Sequence, residues 1–292
     1  MKGRVVDMAR ALEFKPLAGS LALTHDDFAT IAALAREQSG VELGEGKEQL
    51  VAARLGKLMR HLGFSTFRAY YDHLRADRTG DALVQLIDSL TTNHTSFFRE
   101  QPHFDFLAAQ IFPGWDDTGA RRIWSAASAT GEEPYTIALI AREYFGAQSA
   151  RLPRILASDI SSRALETARR GVYPAARLQA VLSPWLNKHL LRGQGRWDGW
   201  YRLRPEILAM VEFRRINLMD QSFNVGRFAV IFCRNVMIYF SRQTQEQLVR
   251  RLSHCLQPGG YLFIGLAESL TGIQHGLQHL QPGIYRKRGG QR

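Results

Sequence analysis

From Thr24 to Leu90 the apolar residues of this chain recur at helical spacing, and from Arg121 onward they gather into short runs separated by helical stretches. Thr24-His-Asp-Asp27 has the form of a capping box, and Phe28, Ile31, Leu34 and Ala35 after it lie on one helical face. Gly40, Gly44 and Gly46 interrupt that helix, and a second is predicted from about Lys47 to Leu62, with Val51, Leu55, Leu58, Met59 and Leu62 inward. Lys47, Arg54, Lys57 and His61 then share an adjoining stripe, with Arg60 at its margin. Two further helices, about 66–75 and 81–90, complete a small all-α unit. Beyond it, strands are expected at about 122–127, 154–159, 211–216, 228–234 and 261–266, and helices at about 132–145, 161–171 and 241–256. Such alternation predicts a doubly wound, mostly parallel sheet. Pro258-Gly259-Gly260 reads as a turn before the last strand. The stretch 172–210 breaks the alternation and reads as a helix followed by a small antiparallel insert containing Trp200–Arg204.

The strongest local signal is Ile123–Tyr135, a buried strand, an elbow of small residues and a helix opening at Glu132-Glu133-Pro134. Small residues allow close backbone approach to a ligand, and Gly131 can adopt positive φ. Strand, elbow and helix N-terminus are how open α/β sheets hold nucleotides. Two glutamates at that N-terminus disfavour a pyrophosphate and favour a ligand with cationic groups, such as the sulfonium and ammonium of S-adenosylmethionine. Asp159, ending the second strand, is placed to accept hydrogen bonds from ribose hydroxyls or to cap the next helix. Arg234 and Asn235 fall at the carboxyl end of another strand, with Tyr239 close behind, and Asn217-Leu218 could meet an adenine edge. Thr91–Glu100 joins the two halves with a density of donors that a plain linker does not need.

Composition changes the picture in two places. The 292 residues carry net charge +11, but residues 1–90 balance, with 12 Lys/Arg against 12 Asp/Glu. Residues 163–215 hold 11 Lys/Arg and 4 Asp/Glu, a local +7, which attracts polyanions or an acidic protein. Nucleic acid is therefore a rival acceptor, weakened because the Asn/Asp-Pro-Pro-aromatic motif of base-methylating enzymes has no counterpart between Arg234 and Phe240. Cys233 and Cys255 form no disulfide framework, and neither they nor His94, His103, His275 and His279 have metal-ligand spacing, so reduced core thiols and no metal are expected. No apolar run is long enough for a membrane span and residues 1–14 lack a signal-peptide core, which predicts a cytoplasmic protein with no membrane insertion.

Taken together, Thr91–Glu100, Trp124–Tyr135, Ala157–Ile160, Asn217-Leu218, Phe232–Phe240, and Pro258–Gly265 with Glu268 closely resemble the chemotaxis-receptor glutamate methyltransferases of the CheR type, over roughly Leu23–Tyr285. The resemblance implies a class I S-adenosylmethionine-dependent methyltransferase (Rossmann-like) sheet with a small antiparallel β-subdomain insert, preceded by an all-α domain. Its boundaries here would be a leader at 1–22, a receptor-facing helical domain at 23–90, a linker at 91–120 and the methyltransferase domain at 121–288, with the insert at about 187–210. It implies S-adenosylmethionine as cofactor, methyl-ester formation on glutamates of methyl-accepting chemotaxis receptors as activity, and a monomer. Asn93, Thr95, Arg99, Glu133, Asp159, Asn217, Leu218, Arg234 and Asn235 would surround the cofactor, with Arg99 orienting the acceptor and Tyr239 beside the transferred methyl. Arg54, Lys57 and Arg60 would face an acidic receptor helix, and Gly193-Gln-Gly195 resembles the loop of members that grip a receptor's C-terminal tether peptide. Two departures stand out: Ala129 replaces a Ser in the elbow, and Gly265-Leu-Ala-Glu268 replaces a common Gly-His-Ser-Glu. The rival classes are a nucleic-acid methyltransferase and a cofactor-binding scaffold without catalysis. Retention of Arg99 and Tyr239 opposes the scaffold.

Overall fold

A computed structural model describes residues 24–44, 46–90, 95–115, 121–181 and 183–289. The first four helices are α1 His25–Ser39, α2 Glu48–Leu62, α3 Phe67–Ala76 and α4 Asp81–Leu90. The capping box forms as expected: the Asp27 amide donates to the Thr24 hydroxyl and the Thr24 amide to the Asp27 carboxylate. Gly40 and Gly63 end α1 and α2 in the left-handed region, where glycine carries no Cβ penalty. Ile31, Val51, Leu55, Met59, Tyr70 and Leu86 bury themselves among these helices, so the apolar periodicity becomes a core of its own.

α5 Gln101–Phe106 then leads through a π-turn and a 3₁₀-turn into the sheet domain. Its elements are β1 Arg122–Ala126, α6 Glu132–Phe145, β2 Arg154–Asp159, α7 Ser162–Arg170, β3 Val172–Pro174, α8 Ser183–His189, β4 Leu190–Arg192, β5 Trp200–Leu203, α9 Pro205–Leu208, β6 Val211–Arg215, β7 Phe228–Cys233, α10 Arg242–Cys255, β8 Leu256–Phe263, β9 Leu277–Gln281 and β10 Ile284–Lys287. Seven strands form one sheet in the order β6-β2-β1-β7-β8-β10-β9. The first five run parallel, while β10 lies antiparallel between β8 and β9. The chain winds outward from β1 through β2 to β6 on one side and through β7 to β8 on the other. The gap between β1 and β7 is therefore the switch point, where the carboxyl ends of open sheets receive ligands. One core, with Phe104, Ile137 and Phe232, covers one face, and a second, with Trp124, Ile231 and Leu248, covers the other. Trp124 is fully buried, and its indole N–H donates to the Ser158 hydroxyl on the neighbouring strand at 2.9 Å, which satisfies its polar atom.

Two expectations need correction. Pro258-Gly259-Gly260 lies inside β8 instead of before it: Phe228 pairs with Leu256 and Val230 with Tyr261, so the register is broken by a bulge across these residues. Gly260 sits there because a Cβ would lie 3.0 Å from the Ala229 and Gln257 carbonyl oxygens. The small antiparallel sheet, ordered β3-β5-β4, begins well before residue 187, because Val172–Pro174 pairs with Trp200–Arg202. A three-residue strand carries too little alternation to be seen in sequence.

No described helix is long and apolar enough to cross a membrane. The Tyr70 ring is fully buried in the helical core, and its hydroxyl has no hydrogen-bond partner among the described residues. Removing that oxygen removes a desolvated, unsatisfied group. Tyr70→Phe is expected to leave stability unchanged or raise it by about 1 kcal/mol, read by thermal unfolding, whereas an ordinary core truncation would lower it.

Candidate functional site

The carboxyl ends of β1, β2, β6 and β7 enclose a cavity of about 240 Å³. Its lining includes Ala127–Ala129, Glu133, Asp159, Ile216–Leu218, Arg234–Val236 and Ile238–Phe240, together with Thr95, Ser96 and Arg99. The helical domain also contributes Ser39, Val41, Ile87 and Asp88, none of which was expected here from residue pattern. Backbone strain gathers around it. Ala127, Ala129 and Asn235 have φ of +63°, +46° and +57°, and Phe98 and Glu100, either side of Arg99, have +57° and +59°. Each costs on the order of 1–2 kcal/mol for a residue with a Cβ, so the surrounding structure must hold them. Gly131, at +97°, is the position where no side chain fits: a Cβ would lie 2.8 Å from the Ala168 Cβ.

What holds the frame is a buried ion network. The Arg234 side chain is 2% exposed. Its guanidinium donates to Glu100 Oε2 at 2.9 Å, to Glu133 Oε2 at 3.1 Å and to the Arg99 carbonyl. Glu100 also accepts from the Asn235 amide at 3.0 Å and the Leu266 N–H at 3.1 Å. Burial pushes the Glu100 carboxyl up, but the Asn235 and Arg234 donors outweigh it and leave it below the usual range. His103, packed beneath Glu100 and fully buried, is held down to about 4 by burial and by the Arg234 charge, so it is neutral at pH 7. Glu268 completes the frame through backbone donors alone. Its carboxylate accepts from the Gly265, Asn235 and Ile238 amides at 2.6, 2.9 and 3.2 Å.

The two elbow glutamates part company. Glu132 is fully buried and turns away to Arg177, 2.8 Å distant, and to the Thr130 hydroxyl. Glu133 alone faces the cavity, accepting from Ser125 at 2.7 Å and from Arg234. Burial raises its carboxyl above the ordinary value, opposed by Arg234. Asp159 lines the cavity at the end of β2, and the N-cap of α7 falls to Ser161 instead. Asp159 accepts the Ala129 N–H at 2.8 Å and the Ser161 N–H at 2.9 Å. Because the elbow bond comes from the Ala129 backbone, the missing hydroxyl at that position leaves it intact. Burial pushes Asp159 up to about 6. The described lining thus holds three carboxylates, Asp88, Glu133 and Asp159, against two guanidiniums, Arg99 and Arg234, an acidic surplus of one.

Thr95, Arg99, Leu218 and Tyr239 all reach the cavity wall, whereas Asn93 lies outside the described residues. Asn217 lines the cavity, and its side-chain amide donates to the Gln38 carbonyl and accepts from the Met219 N–H. On α2, Lys57 and Arg60 are exposed. Arg54 departs from the cationic stripe: it donates to the Leu90 carbonyl at 2.6 Å and caps the end of α4. Helical angle placed it on the surface, but helix packing turned it inward. Gly193 abuts Trp197, where a Cβ would lie 2.2 Å from its carbonyl oxygen, and Gly195 takes φ +60°.

Two family models match the chain: the CheR methyltransferase all-alpha domain over residues 26–91 and the CheR methyltransferase SAM binding domain over 93–285. The chain belongs to the CheR methyltransferase family. It is similar to the chemotaxis protein methyltransferase of Salmonella typhimurium, 39% identical over 254 residues and 87% of each chain. It is also similar to chemotaxis protein methyltransferase 2 of Pseudomonas aeruginosa, 38% identical over 263 residues, 90% of this chain and 93% of the relative. The cofactor is S-adenosylmethionine, the chemistry is methyl transfer and the setting is chemotaxis. The residues present fit that cofactor: the acidic surplus and the lone cavity-facing Glu133 suit a cationic ligand, and the desolvated Asp159 gains from any hydroxyl that donates to it.

Sequence reasoning named Glu100 and Glu268 only within motif tracts and gave neither a role. Glu100 stood inside the donor-rich tract, next to Arg99, and that pairing of opposite charges was its only signal. Glu268 serves backbone amides, which leave no mark on side-chain patterns. Arg234→Met is expected to destabilise the protein by about 3 kcal/mol in denaturant unfolding, because Glu100 and Glu133 would remain buried with their cation gone.

Proposed function

We propose that this CheR-family methyltransferase methylates glutamate side chains on the cytoplasmic region of chemotaxis receptors, forming methyl esters. The observation that carries the reading is the placing of Arg99 and Tyr239 on the wall of the cavity that also holds Glu133 and Asp159. A carboxylate acceptor is ionised at pH 7 and needs no general base. The three acids lining the cavity that could have served as one are tied to fixed donors, Glu133 to Ser125 and Arg234, Asp159 to two backbone amides and Asp88 to the Ser161 hydroxyl.

When bound, S-adenosylmethionine supplies the activated methyl group. The chain's own residues do the rest. Asp159 accepts from ribose hydroxyls and Glu133 holds the ammonium, with Arg234 fixing Glu133 in place. Thr95, Asn217, Leu218 and Asn235 shape the walls around the cofactor, and the family resemblance assigns Asn93 to the same task. Arg99 orients the acceptor carboxylate by charge-assisted hydrogen bonds, and Tyr239 bounds the path of the methyl group. Alignment of this kind is worth about 7–11 kcal/mol in favourable cases. On the outside, Lys57 and Arg60 of α2 face an acidic receptor helix, now without Arg54. The edge strand β4, with Leu191, Trp197 and Trp200 exposed beside it, accepts an extended tether peptide as an added strand. The nucleic-acid alternative loses ground because none of the basic residues of 163–215 is in the described cavity lining.

Incubating the protein with methyl-labelled cofactor and a receptor's cytoplasmic fragment should place base-labile label on the fragment, and label on RNA or DNA instead would overturn the reading. Arg99→Ala should lower kcat by at least about 100-fold while thermal unfolding stays unchanged, since the group acts by alignment. Full activity in that variant removes Arg99 from the mechanism.

Asp159 supplies a pH test. With its carboxyl raised to about 6, it is charged above that pH and protonated below it. Hydroxyl donors favour the charged form, so ligand binding near pH 6 releases a proton. Calorimetry with S-adenosylhomocysteine should show affinity that is constant above about pH 7 and weakens as pH falls through 6. Asp159→Asn should bind more weakly and lose this dependence.

A further inference from the structure

Beside the cavity mouth two large aliphatic side chains stand in solvent: Ile238, 53% exposed, and Leu266, 45% exposed. Their exposure is imposed by a rigid frame. Glu268 joins the two segments through one carboxylate, accepting from the Ile238 amide on one side and the Gly265 amide on the other. The Leu266 N–H is held by Glu100, the same carboxylate that pairs Arg234. Further along, Leu270 is buried in the sheet core, and Arg242 donates to the Ser269 and Thr271 carbonyls, which anchors the loop after Leu266. Ile238 is also part of the cavity wall, so the apolar rim is continuous with the site.

We infer that Ile238 and Leu266 form a subsite for an aliphatic side chain that flanks the methylated glutamate on an acidic helix. This rests on the receptor-glutamate reading above and adds to it a determinant of which glutamates are modified. The geometry of a helix supplies the occupant: residues three or four positions apart lie on one face, so a helix delivering a carboxylate to Arg99 also presents a neighbour to the rim. The charge around the rim suits an acidic helix, because its own carboxylates, Glu100 and Glu268, are each bound to fixed donors, while Arg99 lines the adjoining cavity. A receptor matched to it carries Leu, Ile, Val or Met one turn from the acceptor.

The test uses the full chain, methyl-labelled cofactor and the cytoplasmic helical fragment of a methyl-accepting receptor. Leu266→Ser keeps the backbone N–H to Glu100 and removes the apolar surface. Its KM for the fragment should rise about tenfold, the lower range for losing a hydrophobic contact, with kcat, S-adenosylhomocysteine affinity and thermal stability unchanged. Leu266→Met should restore KM. The ratio of mutant to wild-type KM should stay constant as salt rises, because the contact is apolar and is not screened. Replacing the aliphatic neighbour of the acceptor glutamate by serine should raise the wild-type KM but add little in Leu266→Ser, the signature of two groups in contact. An unchanged KM in Leu266→Ser, or a loss confined to cofactor affinity or stability, overturns the subsite and leaves the receptor reading standing. No label on the fragment with the wild-type protein overturns both.

Discussion

Arg234 is a fixed charge in a place with almost no water, and its 2% exposure leaves it dependent on the carboxylates beside it. The Coulomb attraction to Glu100 and Glu133 has to offset desolvation of all three groups, and it does so only while their geometry is held. That constraint explains the local chain. Glu100 must sit in the left-handed region to reach back to the guanidinium, which turns Arg99 toward the cavity and gives its carbonyl to Arg234. Asn235 takes the same unusual conformation and returns its amide to Glu100. The strain in these residues and the pairing of Arg234 support one another: neither arrangement is stable without its partner.

The same network sets the electrostatics offered to a ligand. Of the two glutamates at the start of α6, one is neutralised by Arg177 outside the cavity and the other shares Arg234. The acidic character inferred from their adjacency is therefore smaller than two charges, yet it persists, because Asp159 and Asp88 add to it from β2 and α4. Asp159 is kept costly by burial and by the nearby Asp88. A ligand that donates to it relieves a penalty already built into the fold, so part of the binding energy is prepared before the ligand arrives.

Much of this was legible beforehand. Helices α1 to α4 and strands β1, β2, β6 and β7 fall within a few residues of their periodicity, because each carries a clean apolar face or caps such as Thr24, Gly40 and Gly63, whereas β8 begins well before its expected start. The elbow was legible because small residues between a strand and a helix have few other uses. The losses have a common physical origin in the backbone. β3 is three residues long, the bulge at Pro258–Gly260 depends on pairing with β7, and Glu268 acts on amides that every residue possesses. Arg54 and Asn217 show a different limit: each also has a partner at a neighbouring helix end that spacing does not reveal, the Leu90 carbonyl for one and the Gln38 carbonyl for the other.

These last contacts bear on how the two halves work together. Asn217 binds the end of α1, the Glu42 amide donates to the Tyr239 carbonyl, and the Ser161 hydroxyl donates to Asp88 on α4. Every loop that walls the cavity from β2, β6 and β7 is thus tied to the helical domain, and Val41 pairs as an isolated bridge with Phe240. The helical domain therefore serves as one wall of the cofactor site as well as the surface that carries Lys57 and Arg60. Lys57 and Arg60 lie on α2, which shares one apolar core with α1, the helix whose Gln38 carbonyl holds Asn217, so the outer surface and the cavity wall belong to one packed unit. Separation of the helical domain would open the cavity on the side of Ser39, Val41 and Asp88, which gives a physical reason for the two parts to occur in a single chain.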